Sequence, residues 1–125
     1  MKTTPLSGLY LVTPDWDDTN QLVTLSEIAL QNGATILQYR HKTAPPEQRL
    51  QQARALADLC QRLGKLFIIN DHLDLCKAVD ADGLHVGGTD MSVAQARAEL
   101  GSHKIIGASC YGDMQLARSA KQQGA

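Results

Sequence analysis

At 125 residues the chain has room for one domain with a real core and too little for two, so a single domain over 1–125 is expected. Twelve basic against 13 acidic residues give a formal charge of −1, which supplies no basic field for nucleic acid. No apolar run approaches the roughly 20 residues that cross a bilayer, and the opening residues lack the apolar segment of a secretory signal, so a cytoplasmic protein with no membrane partner is expected.

Taken in chain order, Gly8 to Thr13 reads as a strand, and Pro14-Asp15-Trp16-Asp17-Asp18 as a turn with capping carboxylates. A helix follows with Leu22, Leu25, Ile28 and Ala29 on one side, and Asn32-Gly33 stops it. Ile36 to Tyr39 is a second strand. Pro45-Pro46-Glu47 opens a second helix with a broad apolar face of Leu50, Ala53, Leu56, Ala57, Leu59, Cys60 and Leu63, ended by Gly64. The continuous apolar run Leu66 to Asn70 suits a strand covered on both faces. A short helix over about Leu73 to Val79 gives way to a fourth strand, Gly83-Leu84-His85-Val86. Ser92 caps a helix carrying Val93, Ala96 and Leu100, with Gly101 after it. Lys104 to Ala108 is a fifth strand and Asp113 to Gln123 a last helix.

Five alternations of strand and helix with short connections argue for an α/β fold of parallel βα units. Two architectures satisfy that pattern: an open doubly wound sheet, or part of a TIM (β/α)8 barrel. Both gather function at the carboxyl ends of the strands. Cys60, Cys76 and Cys110 are odd in number and set among apolar residues, so they read as buried thiols. His41, His72, His85 and His103 have no paired metal-ligand spacing and read as structural or supporting residues.

The strand ends carry the polar chemistry. Were the second strand extended through its tail, Gln38, Arg40 and Lys42 would share one face and Tyr39 and His41 the other. Asn70 and Asp71 follow the third strand, Asp90 lies in the Gly87-Gly88-Thr89-Asp90 loop after the fourth, and Ser109 follows the fifth. Arg and Lys neutralise phosphoryl oxygens while hard carboxylate oxygens hold magnesium, so the set suits a polyphosphate bound with Mg2+ on Asp71 and Asp90. Each residue alone also fits a turn or cap.

In this order and spacing, Gly8-Leu9-Tyr10-Leu11-Val12-Thr13, Gln38-x-Arg40-x-Lys42, Phe67-Ile68-Ile69-Asn70-Asp71, Asp82-Gly83-Leu84-His85-Val86-Gly87, Asp90 and Ile106-Gly107-Ala108-Ser109 resemble the thiamine phosphate synthase family. The resemblance implies a (β/α)8 barrel and a magnesium-dependent transferase. It joins hydroxymethylpyrimidine diphosphate to hydroxyethylthiazole phosphate, giving thiamine phosphate and pyrophosphate. It implies that Gln38, Arg40, Lys42 and Asn70 bind the pyrimidine diphosphate, that Asp71 and Asp90 hold Mg2+, and that Ser109 lies against the departing diphosphate, with Arg40, Lys42 and Ser109 acting in catalysis.

Two positions depart from the family pattern: His72 stands where Arg is frequent and Gly88 where Gln is frequent. The chain also carries about five βα units, whereas such a barrel has eight, so an incomplete barrel lacking its C-terminal part is expected, with strand edges open to self-association. Two rival readings remain. A thiazole tautomerase-like isomerase needs an acid–base residue where this chain has Tyr111, and a non-catalytic module would bind phosphate ligands without turnover.

Overall fold

A computed structural model describes residues 5–87 and 91–125. Five strands alternate with five helices: β1 Leu9–Val12, α1 Thr19–Gln31, β2 Ala34–Tyr39, α2 Pro46–Leu63, β3 Leu66–Asn70, α3 Leu73–Val79, β4 Gly83–Val86, α4 Val93–Leu100, β5 Ile105–Ala108 and α5 Met114–Gln123. Strand order follows chain order. The chain divides into two compact units, one ending at Ile68 and the other starting at Ile69.

In the first unit β1 pairs with β2 in parallel, Tyr10 opposite Ile36 and Val12 opposite Gln38, with an irregularity between Leu9 and Tyr10. Every residue of β2 but Thr35 is buried, as a strand covered on both faces should be, whereas Leu9, Tyr10 and Val12 of β1 are exposed. Asp18 caps α1 by accepting from the Gln21 amide. The buried stripe of α1 is Leu22, Ser26 and Leu30, an i, i+4, i+8 row, while Leu25 and Ile28 are exposed. The apolar face expected from sequence is therefore rotated. The helix packs against both β2 and α2, and the row that meets both carries a serine. On α2, Gln52 is wholly buried beside Ala53, Leu56, Leu59 and Cys60, and Gly64 ends the helix in the left-handed conformation that favours glycine.

In the second unit β4 and β5 pair in parallel from Gly83 opposite Ile105 to Val86 opposite Ala108. Leu84, Val86 and Ile106 are buried, as are Val93 and Ala96 of α4. Ser92 forms a full capping box, accepting from the Gln95 amide while the Gln95 side chain accepts from the Ser92 amide. Cys60 and Cys76 are buried as expected; Cys110, two residues past the end of β5, is only half-buried. Among the described residues no helix is long and apolar enough to cross a membrane.

Candidate active site

The first unit presents the cations. Gln38 is buried at the end of β2, and its side-chain amide donates to the Tyr10 hydroxyl at 2.9 Å. Although the Tyr10 ring is partly exposed, desolvation of its hydroxyl raises its pKa, with the Gln38 bond pulling the other way. The side-chain oxygen Oε1 of Gln38 is an acceptor it can offer a ligand. Thr13, buried just past β1, straps the main chain on either side of Tyr39: its amide donates to the Gln38 main-chain carbonyl at 2.9 Å, and its hydroxyl accepts from the Arg40 amide at 3.0 Å. The hydroxyl also reaches the Arg40 carbonyl at 3.4 Å.

The extended geometry expected over 38–42 stops at Tyr39. Beyond it the His41 ring turns the chain, its Nδ1 accepting from the amides of Thr43 and Ala44 at 3.3 and 3.0 Å. Two main-chain donors satisfy an imidazole nitrogen only if it carries no hydrogen, so Nε2 bears the proton and donates to Asp17 Oδ1 at 3.0 Å. Arg40 is half-buried and Lys42 exposed.

The second unit presents the carboxylate. Asp71 follows β3 with φ +65°, a left-handed value uncommon outside glycine, asparagine and aspartate. The His72 amide donates back to the Asn70 carbonyl at 2.7 Å across it, the bonding pattern of a γ-turn. The Asp71 amide donates to the His85 carbonyl at 2.9 Å, tying this turn to β4. Its carboxylate is exposed and held by a side-chain bond. Asn70 Nδ2 donates to Oδ2 at 3.1 Å, and Oδ1 lies 3.5 Å from where a Cβ on Gly87 would sit. The Tyr111 hydroxyl lies 3.9 Å from that same point, so a carboxylate and a phenol both border the space that a side chain at position 87 would enter.

His85 stands opposite Gly107 in the β4–β5 register, and its Nε2 is 2.9 Å from Ser109 Oγ. Burial holds the His85 pKa below the usual imidazole range, with the Asp71 carboxylate a smaller influence upward. A Cβ on Gly107 would lie 2.7 Å from His85 Nδ1, so the ring reaches Ser109 only because position 107 has no side chain. Gly107→Ala is therefore expected to displace the ring and break the His85–Ser109 bond. In NMR spectra the His85 imidazole resonances should move toward those of a His85 ring in Ser109→Ala; spectra unchanged from the parent protein would refute the contact. Ser109 also lines a cavity of about 150 Å³ with Val86, Gly87, Met91, Ser92 and Cys110. That is roomy for a phosphoryl group but short of the ~300 Å³ at which drug-sized pockets begin.

Gln38 and Arg40 thus sit together in the first unit with Lys42 two residues on, and Asn70, Asp71 and Ser109 gather with His85, Gly87 and Tyr111 in the second. Asp90, with Gly88 and Thr89, lies outside the described residues. His85 as the partner of Ser109 was not foreseen; the signal was the strand glycine at 107, since a glycine inside a strand marks a close approach. Among the described residues no group of three or more His, Cys, Asp or Glu could hold a metal ion. A metal here would rest on the oriented oxygens of Asp71 and on ligand phosphate, which suits magnesium, an ion commonly held by one or two carboxylates with substrate oxygens and water.

Residues 9–125 match the family model described as thiamine monophosphate synthase. Among curated relatives, the thiamine-phosphate synthase of Janthinobacterium sp. strain Marseille is 58% identical over 96% of this chain and 58% of its own length. That of Methylobacillus flagellatus is 53% identical over 97% of this chain and 58% of its own. The solved structure of thiamine phosphate pyrophosphorylase from Pyrococcus furiosus superposes with a TM-score of 0.82 at 35% identity, covering 94% of this chain and 56% of that one. This chain therefore spans somewhat more than half the length of the relatives it matches. Its five βα units share their fold with that pyrophosphorylase, and with a family model matched across nearly its full length, the chain belongs to the thiamine monophosphate synthase family.

Proposed function

We propose that the chain serves magnesium-dependent coupling of hydroxymethylpyrimidine diphosphate with hydroxyethylthiazole phosphate, forming thiamine phosphate and pyrophosphate. Family membership supports the reaction class. The structural observation that carries it is the Asp71 turn, where an oriented carboxylate sits on strained backbone beside the His85–Ser109 pair. Strained left-handed positions on non-glycine residues concentrate at functional sites because the surrounding bonds must hold them there.

In this reading Arg40 and Lys42 neutralise the diphosphate, Gln38 and Asn70 orient the pyrimidine half, and Asp71 with Asp90 holds magnesium. As the carbon–oxygen bond to the diphosphate breaks, negative charge grows on the leaving group and positive charge on the pyrimidine methylene. Cations already in place stabilise charge that appears only in the transition state. Bound magnesium would supply further charge neutralisation on the departing oxygens. The thiazole nitrogen then forms the new carbon–nitrogen bond and pyrophosphate leaves, so the protein needs neither a general base nor a nucleophile. A neutral His85 that donates from Nε2 leaves the Ser109 hydroxyl hydrogen for a phosphoryl oxygen.

The test is incubation of the purified chain with both substrates and magnesium, followed by chromatography. Thiamine phosphate supports the proposal. Binding of the diphosphate substrate with no product would instead favour a phosphate-ligand binding module.

A further inference from the structure

The first unit contains a run of polar contacts, anchored on the buried side chains of Tyr39, Gln52 and His41, that the coupling reaction does not use. The Tyr39 hydroxyl donates to Gln52 Oε1 at 2.6 Å, and Gln52 Nε2 donates to the Trp16 carbonyl at 2.9 Å. Gln48 Nε2 donates to the Asp17 carbonyl at 2.8 Å, and the Asp17 carboxylate receives His41 Nε2. Burial pushes the Tyr39 hydroxyl up to about 12, which keeps it a donor at any ordinary pH. The run leaves β2 at Tyr39 and comes back to the chain at His41, with Arg40 between its two ends. On the far side of Lys42 the same imidazole takes the amides of Thr43 and Ala44, and the Arg49 guanidinium donates to the Ala44 carbonyl at 2.8 Å.

His41 is 4% exposed, so its two nitrogens need partners within the protein, and both have them. An apolar side chain of like volume could fill the space but would leave the turn amides without their acceptor. The ring thus fixes the backbone on both sides of Lys42, while Thr13 fixes Arg40. Holding a charged group where charge will develop, before the ligand arrives, is how a site avoids reorganising during the reaction.

We propose that His41, anchored by Asp17, is a positioning residue that holds the turn bearing Arg40 and Lys42 in its diphosphate-binding geometry. This rests on the reading above, in which Arg40 and Lys42 hold the diphosphate. Asp17 is 80% exposed on its side chain, so its tie to His41 contributes little to folding and acts mainly on ring orientation.

The test is calorimetric titration of the chain with inorganic pyrophosphate and magnesium, each variant checked for folding by circular dichroism. His41→Ala is expected to weaken binding about tenfold. His41→Asn should recover most of that loss, because an asparagine oxygen accepts amides two and three residues ahead, as Nδ1 does here. Asp17→Ala should keep the parent melting temperature and weaken binding about threefold; it serves as the readout if His41→Ala does not fold. Loss in Arg40→Ala with parent-like binding in folded His41→Ala, or in Asp17→Ala, would overturn the positioning role alone. So would equal loss in His41→Asn and His41→Ala. Parent protein that binds no pyrophosphate, or Arg40→Ala and Lys42→Ala that bind it undiminished, would overturn the underlying reading and this inference with it.

Discussion

Asp71→Gly is expected to stabilise the fold while weakening magnesium-dependent pyrophosphate binding about 100-fold. Aspartate tolerates φ +65° better than most residues but at a cost, and glycine adopts it with no Cβ penalty, so relief of strain should contribute about 1 kcal/mol. The turn itself should survive, since the bonds holding it, from the Asp71 amide to the His85 carbonyl and from the His72 amide to the Asn70 carbonyl, are all main chain. Only the carboxylate is lost. Asp71→Ala should lose binding to the same extent without the gain in stability, because alanine keeps the left-handed penalty. Thermal melts and calorimetry on the two variants separate the effects. Parent-like metal dependence in Asp71→Gly would remove Asp71 from the site.

Gly83→Ala is expected to cost about 3 kcal/mol of stability, the upper end of what overpacking a close contact costs. A Cβ there would lie 2.3 Å from the Ile105 carbonyl oxygen and 2.7 Å from Ile105 Cβ. Gly83 pairs with Ile105 at the start of the β4–β5 ladder, so the atoms in the way are fixed by the sheet and relief would require the strands to part. Gly64→Ala is the control: its φ is +69° and its added Cβ would meet nothing within 4 Å, so only the left-handed penalty of about 1 kcal/mol applies. Urea unfolding with unchanged m-values should show the larger loss at Gly83. Equal losses at the two positions would contradict the close approach.

Element order was legible because apolar periodicity changes between strand and helix at each Gly, Pro or capping residue, and the caps foreseen at Asp18 and Ser92 are present. The helix face was less legible. Leu25 and Ile28 fit an apolar stripe on α1 equally well, and only packing against both β2 and α2 selects the row containing Ser26. Gln52 was missed for a similar reason: a glutamine in a charged helix reads as surface until Tyr39 and Trp16 are found on either side of its amide. Of the candidate site, residue types at strand ends could be read directly. The left-handed turn at Asp71, the His85–Ser109 bond and the His41 turn could not, because each depends on a register or backbone angle that single-residue chemistry does not specify.

The central proposal is that Asp71 and Ser109, joined through His85 within the second unit, serve the same diphosphate, and a double-mutant cycle tests it most directly. Pyrophosphate binding at fixed magnesium would be measured for the parent chain, Ser109→Ala, Asp71→Asn and the double variant. The account predicts that each single variant weakens binding and that the double variant departs from the sum of the two by about 0.5–3 kcal/mol, as groups sharing one ligand do. Additive losses, or a single variant that binds as the parent does, would contradict it.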